Sequence, residues 1–179
     1  MKLFVVLAAS LVLSAGTVLS QEERYVFFPN EKPVIELNFP EGFKAAQRKD
    51  GTCMAVGPKS VMALASMEKV KDAAAAKTAL PGFAKSFVLR SLAFRELNAA
   101  VVEDAKLPRT YTEGEAIGIK VLSGSGKNSD GDEMFVSATA FPWAHRYYVL
   151  FAVCKPANKE QLEKDRLFVE RSVNEINDD

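Results

Sequence analysis

Two stretches of the chain are apolar on both faces of a strand, and they constrain the fold more than any other feature. Residues 147–154 read YYVLFAVC, and residues 61–67 read VMALASM. Alternate side chains of a strand point to opposite sides, so both sides of these strands need cover from other parts of the chain. We therefore expect a sheet with material packed on each of its faces.

Two amphipathic helices can supply that cover. The first is predicted over residues 78–92, with Pro81 in its first turn, where a missing N–H is tolerated. Its apolar face consists of Leu80, Phe83, Phe87 and Ser91, with Ala84 and Val88 beside them. The second helix begins at Asn158, which forms a capping signature with Gln161. Its core-facing positions are Leu162, Val169, Val173 and Ile176, with Leu167 and Phe168 near them, and charged residues fill the other face. We predict an α+β fold, a mostly antiparallel sheet flanked by helices on both faces.

The remaining strands follow from alternation and from turn residues. Residues 34–39 alternate between apolar and polar side chains, which is typical of a half-buried strand. Lys49-Asp50-Gly51 separates two short strand-like runs and predicts a hairpin. Further strands are predicted at residues 97–103, 116–122 and 134–141. The turn-rich segment 123–133 is predicted to be the connection between the last two of these.

Residues 1–20 have the pattern of a secretory signal peptide. Lys2 precedes an apolar run, and small residues follow it. The run is well short of the ~20 residues that span a bilayer. We expect cleavage after Ser20, with Gly16 as the alternative, and a single domain over residues 21–179. The mature protein is then exported, periplasmic or extracellular, with no stable membrane anchor.

The charge balance limits the classes of partner. The chain has 23 Lys and Arg against 23 Asp and Glu, a formal net charge of zero. Proteins that neutralise phosphates usually carry a clear basic excess, so we expect no nucleic-acid partner. With one His and two Cys, zinc sites built from several His or four Cys are excluded.

The order of elements resembles the PsbP/Mog1 family, whose fold is an α/β/α sandwich. Three segments carry the resemblance: Ile35-Glu36-Leu37-Asn38-Phe39-Pro40-Glu41-Gly42-Phe43, Gly114-Glu115-Ala116 before a strand, and Tyr147-Tyr148-Val149-Leu150-Phe151 before the terminal helix. The resemblance covers about residues 33–177, and the 123–133 segment and the two Cys depart from it. Members of the family are mostly binding or assembly proteins without a shared catalytic site. The resemblance therefore implies a similar role and assigns no functional residue.

Nucleophilic catalysis would have to use His145, the only His in the chain. His145 lies in the short predicted turn 142–146, and no G-x-S-x-G motif surrounds any Ser. We expect no enzymatic activity and name no catalytic residue. A hydrolase that uses His145 with a nearby carboxylate is the alternative.

Two ligand-binding motifs fail at specific positions. The acidic segment 128–133 suggests a calcium loop, but the matching EF-hand would begin at Gly126 and end at Ser137, where carboxylates are needed. The glycine-rich run 124–127 is followed by Asn128 in place of the Ser or Thr of a P-loop. We expect no metal and no cofactor.

Cys53 and Cys154 are a candidate disulfide, because an exported chain with two Cys can form one bridge. Cys53 lies in an early predicted strand and Cys154 ends the last one. The alternative is two buried thiols, since Cys is among the most buried residue types. The sequence leaves both open, because the choice depends on the separation of the Cα atoms.

The function that we expect is a non-catalytic exported binding or assembly module with a protein partner in the cell envelope. Trp143, His145 and Arg146 are candidate partner contacts, because Trp and Arg are enriched at binding hot spots. The alternative role for Trp143 is to cap the sheet edge. Another alternative function is a carrier of a small apolar ligand between helix and sheet. Its pocket would be lined by Met62, Leu64, Met67, Phe83 and Phe87.

Overall fold

Ten strands and two α-helices make up the part of the chain that the computed structural model describes, which is residues 25–26, 34–67, 70, 72–107, 117–143 and 146–176. In chain order they are β1 (Tyr25–Val26), β2 (Val34–Glu36), β3 (Lys44–Gln47), β4 (Cys53–Val56), β5 (Ser60–Met67), α1 (Ala73–Ser91), β6 (Phe94–Leu107), β7 (Ile117–Asn128), β8 (Glu133–Trp143), β9 (Arg146–Cys154), α2 (Lys159–Arg171) and β10 (Asn174–Ile176). The predicted signal peptide lies outside the described residues. Within them, no helix is long and apolar enough to cross a membrane.

Seven of the strands form one antiparallel sheet in the order β3-β4-β5-β9-β8-β7-β6. The two stretches that are apolar on both faces, β5 and β9, pair with each other near the middle of this sheet over eight residue pairs, from Ser60 opposite Cys154 to Met67 opposite Tyr147. The predicted α+β class and the mostly antiparallel sheet are confirmed. A second sheet of three short strands has the order β1-β2-β10.

Two separate clusters of buried side chains pack against this sheet. The α2 cluster contains, among others, Met62, Leu64, Tyr148, Leu150, Leu162 and Val169. The α1 cluster contains, among others, Ala63, Ala65, Val149, Phe151, Ala76, Leu80, Ala84 and Val88. Successive residues of β5 and β9 alternate between the clusters, so each of these strands stabilises both. The two apolar runs therefore have the burial that their sequence predicts.

Helix α1 begins five residues earlier than the sequence suggests, and Pro81 lies inside it. The helix begins after Asp72, whose Oδ1 accepts a hydrogen bond from the Ala75 backbone N–H at 2.8 Å. An Asp at this position satisfies a helix N–H that otherwise has no partner. The Ala-rich run after this cap favours the helix enough to accommodate Pro81, although a proline there forgoes one backbone hydrogen bond.

Helix α2 ends at Arg171, and Ile176 lies in β10, so the predicted helix was too long at its C-terminus. Asn158 is the N-cap residue, but its side chain makes no capping bond. A short 3₁₀ turn, Pro156–Asn158, leads directly into the helix and satisfies the Asn158 N–H through the Lys155 carbonyl oxygen at 2.9 Å. After the helix, the Asn38 N–H donates to Ser172 Oγ at 2.8 Å, which ties the chain after β2 to this end of α2.

The glycine-rich segment predicted as a connection is largely strand. β7 runs to Asn128, and Gly124 and Gly126 lie within it. A Cβ atom at Gly124 would lie 2.3 Å from the Asn98 carbonyl oxygen, and one at Gly126 would lie 2.4 Å from the Glu96 carbonyl oxygen. Both glycines are therefore required because β6 approaches β7 too closely for any side chain.

The true β7–β8 turn is only the four residues 129–132. Asn128 Oδ1 accepts hydrogen bonds from the backbone N–H groups of Asp130 at 3.0 Å and Asp132 at 2.9 Å, and Gly131 has a positive φ of 87°. The acidic segment that suggests a calcium loop is thus a turn closed by its own Asn side chain. The predicted hairpin at Lys49-Asp50-Gly51 is confirmed as the β3–β4 connection.

Strand β6 is one edge of the large sheet and is interrupted twice. It spans 14 residues and pairs with β7, with register irregularities between Phe94 and Glu96 and between Val101 and Glu103. The regular ladder between these points runs from Glu96 to Val101. Bulges of this kind bend a strand and increase its local twist.

Candidate functional site

Cys53 and Cys154 are free, buried thiols on two strands that are not neighbours. β5 separates β4 from β9. Cys53 lies opposite Leu64 of β5, whereas Cys154 lies opposite Ser60 of that strand. Two strand spacings and four residues of stagger separate their Cα atoms by roughly 16 Å, whereas a disulfide needs about 7 Å or less. The candidate disulfide is therefore absent from this fold, and the structure has the alternative of two buried thiols.

Burial also makes both thiols poor nucleophiles. It raises the pKa of the Cys53 thiol to about 12. Burial, together with the carboxylate of Glu163, raises the pKa of the Cys154 thiol to about 11. A thiol reacts as its thiolate, so neither Cys is poised for chemistry near neutral pH.

The turn with the candidate partner contacts is described only in part. Trp143 ends β8 and pairs with Arg146, the first residue of β9. His145 and the side chain of Trp143 lie outside what the structure describes. The contact role of Trp143, His145 and Arg146 stays a prediction, as does the alternative enzyme that uses His145.

The five residues proposed to line a carrier pocket do not come together. Met62 and Leu64 belong to the α2 cluster. Phe83 and Phe87 pack with the α1 cluster, where their rings lie 6.1 and 4.4 Å from the Phe151 ring. Met67 is in the α1 cluster as well. Alternation along β5 separates the set, so the pocket as predicted is wrong.

The inner face of α2 carries a buried polar network against β8. Thr139, fully buried in β8, donates through Oγ1 to Glu170 Oε1 and accepts from Arg166 Nη1 at 3.0 Å. Arg166 also forms an ion pair with Glu170. A second carboxylate, that of Glu163, accepts from Arg166 Nε at 2.9 Å and lies 2.7 Å from Nη2. The guanidinium thus connects two turns of the helix with one residue of the sheet.

The charges of this network are strongly perturbed by burial. Glu170 is 2% exposed, and burial raises the pKa of its carboxyl, although the Arg166 charge and the hydrogen bond from Thr139 act in the opposite direction. Burial acts to lower the pKa of the Arg166 guanidinium, but Glu170 and Glu163 outweigh it and raise that pKa. A buried carboxylate with such partners has few equivalent arrangements, so the network fixes α2 in one position on β8.

The outer face of α2 carries two adjacent exposed apolar side chains. Leu167 is 42% exposed and Phe168 is 47% exposed, and within the described part of the chain they are the large hydrophobic residues that remain exposed. Lys164 precedes them and Arg171 follows them, each three or four residues away. At helical spacing these four side chains form one continuous patch, which we call the LF patch.

The sequence contained a signal for the LF patch. Leu162 and Val169 are seven residues apart and mark the buried stripe of α2. Leu167 and Phe168 follow Leu162 by five and six residues, which rotates them about 140° and 240° from it at 100° per residue. Helical phase therefore places both residues away from the core, and the expectation that they lie near the core-facing stripe is wrong.

Comparisons with known proteins gave no family, and the similar solved structures include one of unknown function. No protein-family model matches the chain, and no curated protein matches it. A crystal structure of PA94 from Pseudomonas aeruginosa, a protein of unknown function described as a candidate regulator, is similar at 9% sequence identity and a TM-score of 0.46. The match covers 88% of this chain and 94% of that one.

Proposed function

We propose that this protein is a non-catalytic binding or assembly module, exported to the cell envelope, which contacts a protein partner through the LF patch. The observation that carries the proposal is the exposure of Leu167 and Phe168 side by side on a helix whose other face is fixed to the sheet. Single exposed apolar residues are common, but two large ones side by side on a fixed helix form a contiguous apolar surface, and such surfaces favour a contact role.

The energetics favour contact between a partner and the LF patch. Covering the exposed half of each side chain would contribute roughly 1 kcal/mol per residue through apolar burial. Because α2 is already fixed by the Arg166 network, binding does not have to order the helix, which lowers the entropic cost of association. Signal-peptide patterning in residues 1–20 supports the envelope as the place where the partner is met.

We also propose that α1 and α2 lie on opposite faces of the sheet, as in the α/β/α sandwich of the PsbP/Mog1 family. The division of their buried residues between two clusters supports this arrangement. An experimental structure of the mature chain tests it, since both helices on one face would contradict the proposal.

Photo-crosslinking tests the function directly. p-Benzoylphenylalanine replaces Phe168, which preserves an aromatic ring at that position, and the same probe replaces Ser86, an exposed residue of α1, as the control. In the native envelope we expect a protein adduct from position 168 and none of that mass from position 86. Adding Leu167→Ser should reduce the adduct yield about fivefold, while the melting temperature changes little. The absence of an adduct at 168, or the same adducts from both positions, would contradict the proposal.

A further inference from the structure

We infer that the partner surface that covers the LF patch is acidic, an apolar protein pocket rimmed by carboxylates. This inference rests on the proposed function and adds the chemistry of the partner. The reason is that the exposed Leu and Phe are bracketed along the helix axis by two cations, Lys164 and Arg171.

Helix geometry places both cations in line with the apolar pair. Lys164 precedes Leu167 by three residues, and Arg171 follows Phe168 by three, so each cation is about 4.5 Å along the axis from its nearer apolar neighbour. Viewed down the axis, Lys164 and Arg171 lie between the directions of Leu167 and Phe168. A partner that covers the two apolar side chains therefore meets a positive charge at either end.

The carboxylates of α2 are already engaged by groups of the same helix. Glu163 is held by Arg166, and Asp165 Oδ1 accepts from Gln161 Nε2 at 2.8 Å. Glu160 pairs with Lys164 at 2.9 Å, on the side of Lys164 away from Leu167. The Lys164 side chain is still 65% exposed. An exposed pair of this kind is weak, so a partner carboxylate can share or replace Glu160.

A protein pocket suits this patch better than an anionic membrane surface. Stable attachment of a helix to a bilayer needs a long apolar face, whereas the outer face of α2 offers two apolar residues. Glu160 and Asp165 flank the patch, and a continuous layer of lipid phosphates would repel both. A protein pocket can place its few carboxylates opposite the cations and away from Glu160 and Asp165.

Charge reversal in the crosslinking experiment tests the inference. Lys164→Glu with Arg171→Glu is introduced into the protein that carries the probe at position 168. The matched control is Lys77→Glu with Lys85→Glu, two exposed residues of α1 that give the same change in net charge. We expect the adduct yield to fall by about tenfold or more for the α2 pair and to stay unchanged for the α1 pair. Far-UV circular dichroism and the melting temperature verify folding.

Three further measurements need no change of charge on the protein. Raising the salt from about 50 mM to about 500 mM should reduce the adduct yield of the protein without the charge-reversal substitutions, because the attraction between exposed charges is screened. Mass spectrometry should locate the adduct in a partner segment with neighbouring Asp or Glu. Sedimentation with phosphatidylglycerol vesicles should show no more binding than with phosphatidylcholine vesicles.

The outcomes separate this inference from the function on which it rests. If Leu167→Ser reduces the adduct yield but charge reversal does not, the partner exists and is not acidic. An adduct on a basic segment, or binding to phosphatidylglycerol vesicles that requires Leu167, also overturns the acidic pocket. If position 168 gives no adduct, both proposals fall.

Discussion

The two helices of this domain are anchored to the sheet by different kinds of interaction. α1 buries small and aliphatic side chains, Ala76, Leu80, Ala84 and Val88, and its Phe83 and Phe87 rings pack on Phe151. α2 buries Leu162 and Val169 and otherwise depends on Arg166, Glu170 and Thr139. The first attachment should be insensitive to pH, whereas the second contains titratable groups.

The two helices also differ in where they place their large apolar side chains. Helix α1 directs its phenylalanines toward the core, whereas α2 leaves Phe168 outside while it places charges inside. A helix whose position is fixed by a few directional bonds can keep apolar residues on its outer face, because its attachment does not need them. Substitutions at four places in the molecule test this comparison.

The largest expected effect is at the apolar contact of α1. Phe151→Ala removes the ring on which Phe83 and Phe87 pack and leaves a cavity in the α1 cluster. We expect a loss of about 4 kcal/mol in the free energy of unfolding, measured by urea titration. The loss should be the same at pH 5 and pH 8, and a strong dependence on pH would contradict a purely apolar attachment.

A slightly smaller effect, dependent on pH, is expected at the α2 attachment. Arg166→Met leaves the buried Glu170 carboxylate without its cation, and we expect a loss of about 3 kcal/mol at pH 7. The loss should shrink at acidic pH, because a protonated Glu170 needs no counter-charge. An equal loss of unfolding free energy at pH 7 and at acidic pH would show that Arg166 acts through packing alone.

Glu170→Gln is the control for that experiment. Because the pKa of Glu170 is raised in the folded state, its contribution to stability is fully present below the unfolded pKa. That contribution is lost as the pH rises through the folded pKa. Glu170→Gln should remove this part of the pH dependence. At pH 7 it should lower the free energy of unfolding by less than Arg166→Met does.

A smaller, stabilising effect is expected where α1 ends. Ala93 follows the helix with a φ of 54°, a left-handed conformation that glycine adopts without strain, whereas Ser172 ends α2 in ordinary helical geometry. Ala93→Gly should therefore raise the free energy of unfolding by roughly 0.5–1 kcal/mol. Ser172→Gly at the end of α2 should instead lower the free energy of unfolding, because it gains nothing from backbone geometry and removes the hydroxyl that accepts from the Asn38 N–H. An increase there would contradict the distinction between the two helix ends.

The smallest destabilisation is expected at the LF patch. Leu167→Ser with Phe168→Ser should lower the free energy of unfolding by about 1 kcal/mol per site, because only about half of each side chain is buried. Differential scanning calorimetry measures the change. A loss comparable with that of Phe151→Ala would show that the two residues stabilise the domain and would count against a contact role.

Local patterns in the sequence were sufficient for the existence of both helices and of the strands of the large sheet, but not for the ends of the helices or for β10. The period-two burial of β5 and β9 and the Asp-Gly hairpin depend on residues close together in the chain, and both were predictable. The strand character of Gly124 and Gly126 was not, because it depends on the approach of β6, whose contacting residues are about 26 to 30 positions away. Their glycine content alone is typical of a loop.

The candidate site shows the same limit. The network of Thr139 with Arg166 and Glu170 joins residues 27 and 31 positions apart, and no local spacing marks it. The separation of Cys53 from Cys154 depends on the strand order, which places β5 between their strands. The position of the LF patch, in contrast, could be inferred from helical phase once the buried stripe of α2 was known.

The interruptions in β6 bear on how readily copies of this protein could pair edge to edge. A strand of 14 residues at the edge of a sheet offers a template on which copies could add, as in fibrils. The two irregularities divide its regular ladder into two runs, the six residues from Glu96 to Val101 and the five residues from Glu103 to Leu107. An edge divided into such short lengths offers a neighbouring chain only a short register for pairing, which disfavours edge-to-edge aggregation.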